Sequence, residues 1–382
     1  MMRVGGRTRW TLAVASVFAV STALAVPPDR VLIRDIGFKM VNLELPSGMR
    51  IVVEEDHSQQ LVALVAVVDV GAAQDPVGKE GLAHLVEHLT FRAKPEGKLQ
   101  RSGMLDFAAA GSWNASTSHD LTTYYVIGPT EALPQLLAIE GKRLLSPLAG
   151  VDARTFDVER GVVKNELYER DEQGQATAVE TRLFAALYPE GHPYRRPVVG
   201  TEASIATLTL TDAQDFVQKY YLPRNMTLYI SGDIDLASIR QVFDSTLPHE
   251  FLDPPATGPV APAHRLAEAS PPVPTPPAKT QLETVTAPSE SPMLYIGWSV
   301  PGGFGAQRYL ERFARTVFLR SSSRAATLGS DIDGLSAYLE EGRYGNTLVC
   351  AVRLKTGRNP EKTLERVLDQ IVRMWAPSEG GS

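Results

Sequence analysis

Five residues constrain this chain more than any others: His84-Leu-Val-Glu87-His88. They lie in an apolar-periodic stretch, 79–91, that reads as a short helix. Residues three and four apart on a helix share a face. His84 and His88 therefore point the same way, one turn apart, at a spacing that lets two imidazoles bind one zinc ion. Glu87 stands beside both. A carboxylate there can take a proton from water at the metal without being a ligand itself. The order is His-Glu-x-x-His read backwards. A catalytic zinc keeps three protein ligands and one open position, so the fold must bring a third ligand to this helix.

Candidates lie in a second helical stretch, 152–170. Glu159 and Glu166 are seven positions apart, two turns along one face, and Glu169 lies near that face. Acids on a helix usually form a solvated face, and spacing alone does not choose among the three.

The surrounding pattern is α+β. Val41–Leu45 and Met49–Val53 flank Pro46-Ser47-Gly48, a hairpin signal. Leu61 to Val70 is a nearly continuous apolar run, which predicts a strand covered on both faces. Residues 101–110 predict a short helix, and 114–127 one strand or two with a bend. Helices follow at 131–145, 152–170, 177–188 and 211–220, then a strand at 226–230. Residues 254–277 carry nine prolines and read as a linker, placed at 252–279. Beyond it come a strand at 293–298, a helix at 309–319, a strand at 347–354 and a helix at 360–375. That order repeats the order of 61–145. The organisation expected is a first domain at 36–250 and a second at 281–382.

Composition narrows the function. The chain has 382 residues, 43% hydrophobic and 21% charged, enough for cores of two or three domains. Net charge is −6, which gives no footprint for nucleic acid. The single cysteine, Cys350, excludes an internal disulfide and sits in an apolar run, so it reads as an inert buried thiol. Residues 1–25 read as an export signal: Arg3, Arg7 and Arg9, an apolar run from Trp10 to about Val20, and Ala23-Leu24-Ala25 as the cleavage site. Export to the periplasm or outside follows, with no stable membrane span after cleavage.

Together these segments resemble peptidase family M16, which includes pitrilysin, insulin-degrading enzyme and the mitochondrial processing peptidase. The family's pattern is His-x-x-Glu-His, then a Glu-x6-Glu pair some 75–80 residues on. Here the pair is Glu159 and Glu166. The resemblance implies Glu166 as the third zinc ligand, with one Zn²⁺ per chain, and Glu159 as a supporting carboxylate. Gly111-Ser-Trp-Asn-Ala-Ser-Thr-Ser118 resembles the family's edge strand, where an extended peptide adds as one more strand. On that likeness Asn114, Ala115 and Thr117 bind substrate. His192-Pro-Tyr194 and Tyr221-Leu-Pro-Arg-Asn225 match structural landmarks. His119, near the strand, reads as a surface histidine; His57, His249 and His264 lack ligand spacing.

The family implies two homologous α/β sandwich domains of mixed or antiparallel sheet packed with helices. The second here is about half the length of the first and reads as truncated, without the family's late Arg and Tyr that hold substrate. The expectation is a zinc endopeptidase acting on unfolded peptides or small proteins. The alternative is a non-catalytic M16-like subunit or peptide-binding partner of another M16 chain; the partners expected besides substrate are a second copy of this chain or a second M16-like subunit. Retention of His84, Glu87, His88 and Glu166 favours the enzyme.

Overall fold

The computed structural model describes residues 7–14, 39–94, 111–172, 177–253, 281–288, 291–300 and 331–375. The short helix expected at 101–110, the proline-rich linker and the helix expected at 309–319 lie outside these residues. The architecture is α+β, with two sheets and helices packed on them. The residues fall into two compact units. One draws on 21–164 and 198–268, the other on 1–20, 165–197 and 269–382.

The first unit is built on a six-stranded sheet. Its strands are β2 (Lys39–Glu44), β3 (Arg50–Glu55), β4 (Leu61–Val68), β5 (Ser112–Thr117), β6 (Thr122–Pro129) and β7 (Met226–Gly232), in the order β2-β3-β7-β4-β6-β5. All pairs are antiparallel except β3–β7. The hairpin predicted around Pro46–Gly48 is β2–β3. The stretch 114–127 resolves into the β5–β6 hairpin, folded back at Ser118–Leu121, where Ser118 N–H donates to the Leu121 carbonyl at 2.8 Å.

One expectation is corrected here. The run from Leu61 is not covered on both faces. Val62, Leu64, Ala66 and Val68 are buried, while Ala63, Val65 and Val67 are half-buried and Leu61 is exposed. The strand's β-branched residues alternate sides because side chains alternate on any strand. Tyr125, Ile127 and Tyr229 on its neighbours are likewise partly open to solvent. Among the described residues α2 (Leu133–Leu145) packs on the other face. Leu133, Leu136 and Leu137 are buried there, where α2 contacts β4 and β6.

The zinc-motif helix is α1 (Leu82–Thr90), and it packs against β5 and against α6 (Leu210–Tyr220). Short helices α5 (Glu202–Thr207), α7 (Ile239–Thr246) and α8 (His249–Leu252) complete this unit. The first of these and α6 both open with a Thr capping box, Thr201 with Ser204 and Thr209 with Asp212.

Helix α3 (Ala153–Glu172) carries Glu159 and Glu166, and its residues divide between the two units after Lys164. The second unit holds the sheet β10-β11-β9-β1-β8, from β1 (Arg7–Val14), β8 (Gln281–Pro288), β9 (Met293–Val300), β10 (Ile332–Glu340) and β11 (Asn346–Leu354). Helices α4 (Thr177–Leu187) and α9 (Pro360–Trp375) belong with it. The segment 177–197 joins this unit, although it precedes the linker, because α4 packs on β9 at close range. A Cβ at Gly297 would sit 2.6 Å from Leu183 Cδ1. The Tyr188 hydroxyl also shares a hydrogen bond with Thr347 Oγ1 at 2.7 Å. Strand β1 lies inside the segment read as an export signal; it runs antiparallel to β8 and parallel to β9. Cys350 is buried in the core of this sheet, and burial pushes its thiol up to about 12.

Candidate metal centre

The site is set by how α1 begins. Its N-terminal N–H groups have no partners within the helix, and no side chain of Gly81 exists to cap them. Asp75 does it from the preceding loop. Its carboxylate, only 4% exposed, accepts from Gly81 N–H (2.8 Å, Oδ2) and from Ala83 N–H (2.9 Å, Oδ1). A negative charge at a helix N-terminus is favourable twice over, through those bonds and through the helix dipole. Gly81 itself has φ of 92°, and a Cβ there would meet Val199 O at 2.8 Å. Only glycine satisfies both the left-handed turn and that close approach. The helix start is thereby wedged against the chain at 199–200, with Ser204 Oγ donating to the Glu80 carbonyl at 2.8 Å. This is why the helix expected from 79 starts at Leu82.

From that start the side chains fall as predicted. His84, Glu87 and His88 offer ligand atoms all within 4.8 Å of one another, the cluster of this kind among the described residues. The imidazole rings stand 4.8 Å apart, nearly perpendicular. His84 and Glu87 are each 7% exposed. Two converging imidazoles are ligands that zinc takes, and the buried Glu87 carboxylate stands beside them, where a base for metal-bound water would be.

Glu87 is held from β5. Thr117 Oγ1 donates to Glu87 Oε2 at 2.6 Å. Beneath the helix lies a buried polar layer. The Tyr124 and Tyr221 hydroxyls share a hydrogen bond of 2.8 Å. The Arg143 guanidinium lies 4.0 Å from the Tyr124 ring centroid and 5.4 Å from that of Phe91, a cation–π arrangement. Burial pushes Tyr124 up to about 12, and Tyr221 well above the usual tyrosine range. Glu140 pairs with Arg143, yet its own burial still raises it above the ordinary carboxylate range.

Glu159 is almost wholly buried. Its carboxylate accepts from Arg92 Nε at 2.7 Å and lies 3.8 Å from His88 Nδ1. That separation is longer than a hydrogen bond, so the carboxylate faces the motif histidine as a nearby charge. Glu166, seven residues further along α3, pairs with Arg170 (3.0 Å from Nη2). So His84, Glu87, His88 and Glu159 are gathered in one unit, while Glu166 belongs to the other by chain position.

On β5, the sheet's edge, Asn114 is exposed and its amide oxygen accepts from Ala115 N–H at 2.9 Å. Strand alternation puts Ala115 and Thr117 on the face opposite Asn114. The three do not share a face. His119 is not a surface residue: it is 7% exposed, and its carbonyl accepts from Ala73 N–H at 2.7 Å. His57 lies far along the sheet, paired with Asp233. Asp75 and Arg92 escaped the sequence reading. Glu140 and Arg143 did too, because an acid and a base three apart look like an ordinary solvated helix pair.

Residues 50–202 match the model described as Insulinase (Peptidase family M16), and residues 207–326 match the Peptidase M16 inactive domain. The chain belongs to peptidase family M16. Among curated M16 relatives, an uncharacterized zinc protease of Mycobacterium tuberculosis is 30% identical over 207 residues, 53% of this chain and 46% of its own length. The probable zinc protease PqqL of Escherichia coli is 29% identical over 221 residues, 56% of this chain and 22% of its own. The chain spans about half the length of the first of these relatives, and less of the second. Among solved structures, a protease from Helicobacter pylori aligns with a TM-score of 0.69 at 19% identity, over 88% of this chain and 80% of that one. That likeness shows the fold. Homologues named as zinc proteases place zinc peptidases in the family.

Proposed function

We propose that this chain is a zinc-dependent endopeptidase that hydrolyses peptide bonds of unfolded peptides or small proteins. The observation that carries this reading is the convergence of His84, Glu87 and His88, with Glu87 buried and oriented by Thr117. His84 and His88 would hold the metal, with Glu166 as the third ligand on the family pattern. When bound, zinc supplies a Lewis acid that polarises a carbonyl and makes water acidic near neutral pH.

The chain's own groups do the rest. Glu87 takes the proton of the attacking water and returns it to the leaving amine. Glu159 sets a buried negative charge behind His88, which favours a cation at the ring's other nitrogen. Among the described residues strand β5 is an edge of its sheet, to which an extended peptide can add by backbone hydrogen bonds. Asn114 and Ala115 lie on that edge, although the Asn114 amide must release the Ala115 N–H if this group is to meet substrate.

Export is part of the proposal: residues 1–25 carry the signal pattern, and the Escherichia coli relative is described as periplasmic. Among the described residues no helix is long and apolar enough to cross a membrane. The test is metal content of the purified protein together with cleavage of an unstructured peptide mixture, with and without chelator. Stoichiometric zinc and chelator-sensitive cleavage are expected. A protein that binds no zinc overturns the reading and leaves the non-catalytic subunit.

A further inference from the structure

Thr117 is where the edge strand meets the base. It is the last residue of β5, and its hydroxyl donates to Glu87 Oε2 at 2.6 Å. A threonine hydroxyl has a single hydrogen to give. Given to Glu87, that hydrogen fixes one carboxylate oxygen and with it the orientation of the carboxylate. Glu87 is buried, and a buried carboxylate gains more from a short charge-assisted bond than an exposed one does. The β-branch also restricts χ1 of Thr117, so the donor is held in place before Glu87 arrives.

The backbone behind Thr117 is fixed as firmly. Thr117 pairs with Thr122 on β6, and Thr122 Oγ1 donates to the Val70 carbonyl at 2.9 Å. The next residues are bound to the loop after β4: Ala72 N–H donates to the Ser118 carbonyl (3.0 Å) and Ala73 N–H to the His119 carbonyl (2.7 Å). The approach is close enough that a Cβ at Gly71 would meet Ser118 O at 2.3 Å. That same loop continues to Asp75, which caps α1. The end of β5 is therefore tied to α1 twice, once through Glu87 and once through the 71–75 loop.

We infer that Thr117 is a positioning residue for Glu87, which couples the strand that would dock a peptide to the group that would move the proton. This rests on the peptidase reading above and assigns Thr117 a role other than contact with substrate. A peptide added to β5 would then load the strand whose end holds the base.

The full chain tests this, loaded with zinc and given a fluorogenic unstructured peptide. Thr117→Val is expected to lower kcat by roughly 10–100-fold, the worth of a hydrogen bond to a charged group. KM and zinc affinity, the latter read by chelator competition, should stay within about twofold. Thr117→Ser keeps the hydroxyl and should restore most of the rate. In the metal-free protein, thermal melting of Thr117→Val, Glu87→Ala and the double variant reads the bond without catalysis: Thr117→Val should lower Tm in the parent and not in the Glu87→Ala background. Should the valine variant not fold, Thr117→Ala carries the same comparison. A kcat unchanged by loss of the hydroxyl, a loss confined to KM, or a serine variant as impaired as valine overturns the assignment. If the parent chain cleaves no peptide, the peptidase reading fails, while the melting comparison still decides whether Thr117 holds Glu87.

Discussion

Helices α1 and α3 bring the proposed site its acids and imidazoles, and they are made on opposite plans. In α1, nine residues long, all but His88 are buried. It begins on a glycine that nothing else could replace and is capped by a buried carboxylate. In α3, twenty residues long, Val158, Val162 and Tyr168 are exposed, and Asp152 caps the start by accepting from Thr155 N–H at 2.7 Å. Burial is what separates them. A hydrogen bond in a desolvated site is electrostatically strong and costly to break, whereas an exposed ion pair is worth little. The first helix therefore fixes geometry. The second is two-sided: it buries Phe156, Val163 and Leu167 with one charged anchor, Glu159, and leaves its other side to solvent.

The largest effect should come from the first helix. Glu87→Gln keeps size and shape but cannot accept a proton. Peptide cleavage should fall by roughly 10²–10⁴-fold, with zinc content unchanged. A variant that cleaves at the parent rate would remove Glu87 from the chemistry.

Next comes the cap. Asp75→Ala removes two charge-assisted bonds from buried N–H groups and should cost about 3 kcal/mol of stability. Asp75→Asn, which keeps one acceptor, should cost about half as much. Thermal melts of the metal-free protein read both. If neither lowers Tm, the start of α1 is held by its glycine wedge alone.

A paired test sets the buried and exposed parts of α3 against each other. Glu159 is 2% exposed and bonded to Arg92, while the Glu166–Arg170 pair is partly open, with side chains 30% and 40% exposed. Glu159→Gln should weaken zinc binding by about 10–100-fold, as loss of a carboxylate behind a ligating histidine does. Arg170→Gln breaks an exposed i,i+4 pair and should change zinc affinity by about twofold or less. Equal losses would mean that burial is not what separates the two carboxylates.

The same contrast decides what could be read from sequence. Helical spacing alone placed His84, Glu87 and His88 on one face, because nothing but local geometry is needed. The β2–β3 hairpin was legible for the same reason, whereas 114–127 reads equally as one strand or two, because Ser118–Leu121 carries no glycine or proline to mark the turn. Asp75 was not: it sits six residues before the first N–H it caps, in a stretch with only loop composition. The Arg92–Glu159 contact joins the turn after α1 to α3 and leaves no pattern in the chain. For Thr117, the alternation of β5 was readable, but the bond to Glu87 depends on how α1 crosses that strand. The run from Leu61 misled because continuous apolar composition does not reveal that, among the described residues, one face of the sheet is more open than the other. Strand β8 was missed since Gln281–Pro288 alternates weakly and holds Thr and Glu.

The smallest expected effect lies at the end of β3, several strands from β5. His57 Nδ1 bonds to Asp233 Oδ1 at 2.6 Å, and Nε2 lies 3.4 Å from Glu55 Oε1. The bond to Asp233 raises His57 above the ordinary histidine range, with Glu55 adding to the effect against some desolvation. The sign follows from linkage. A group whose folded pKa is raised contributes stability that is full below its unfolded value and is lost as pH rises through its folded value. The pair should therefore stabilise the fold at about pH 5 and contribute nothing by about pH 9. His57 is mostly exposed, so water and salt screen the pair, and the Tm difference between the parent and His57→Gln should be about one degree at the acid end. Melts across that range, with an NMR titration of the His57 ring, check it. A Tm difference that grows with pH would reverse the sign and would mean that the neutral ring, not the imidazolium, is what this corner of the sheet holds.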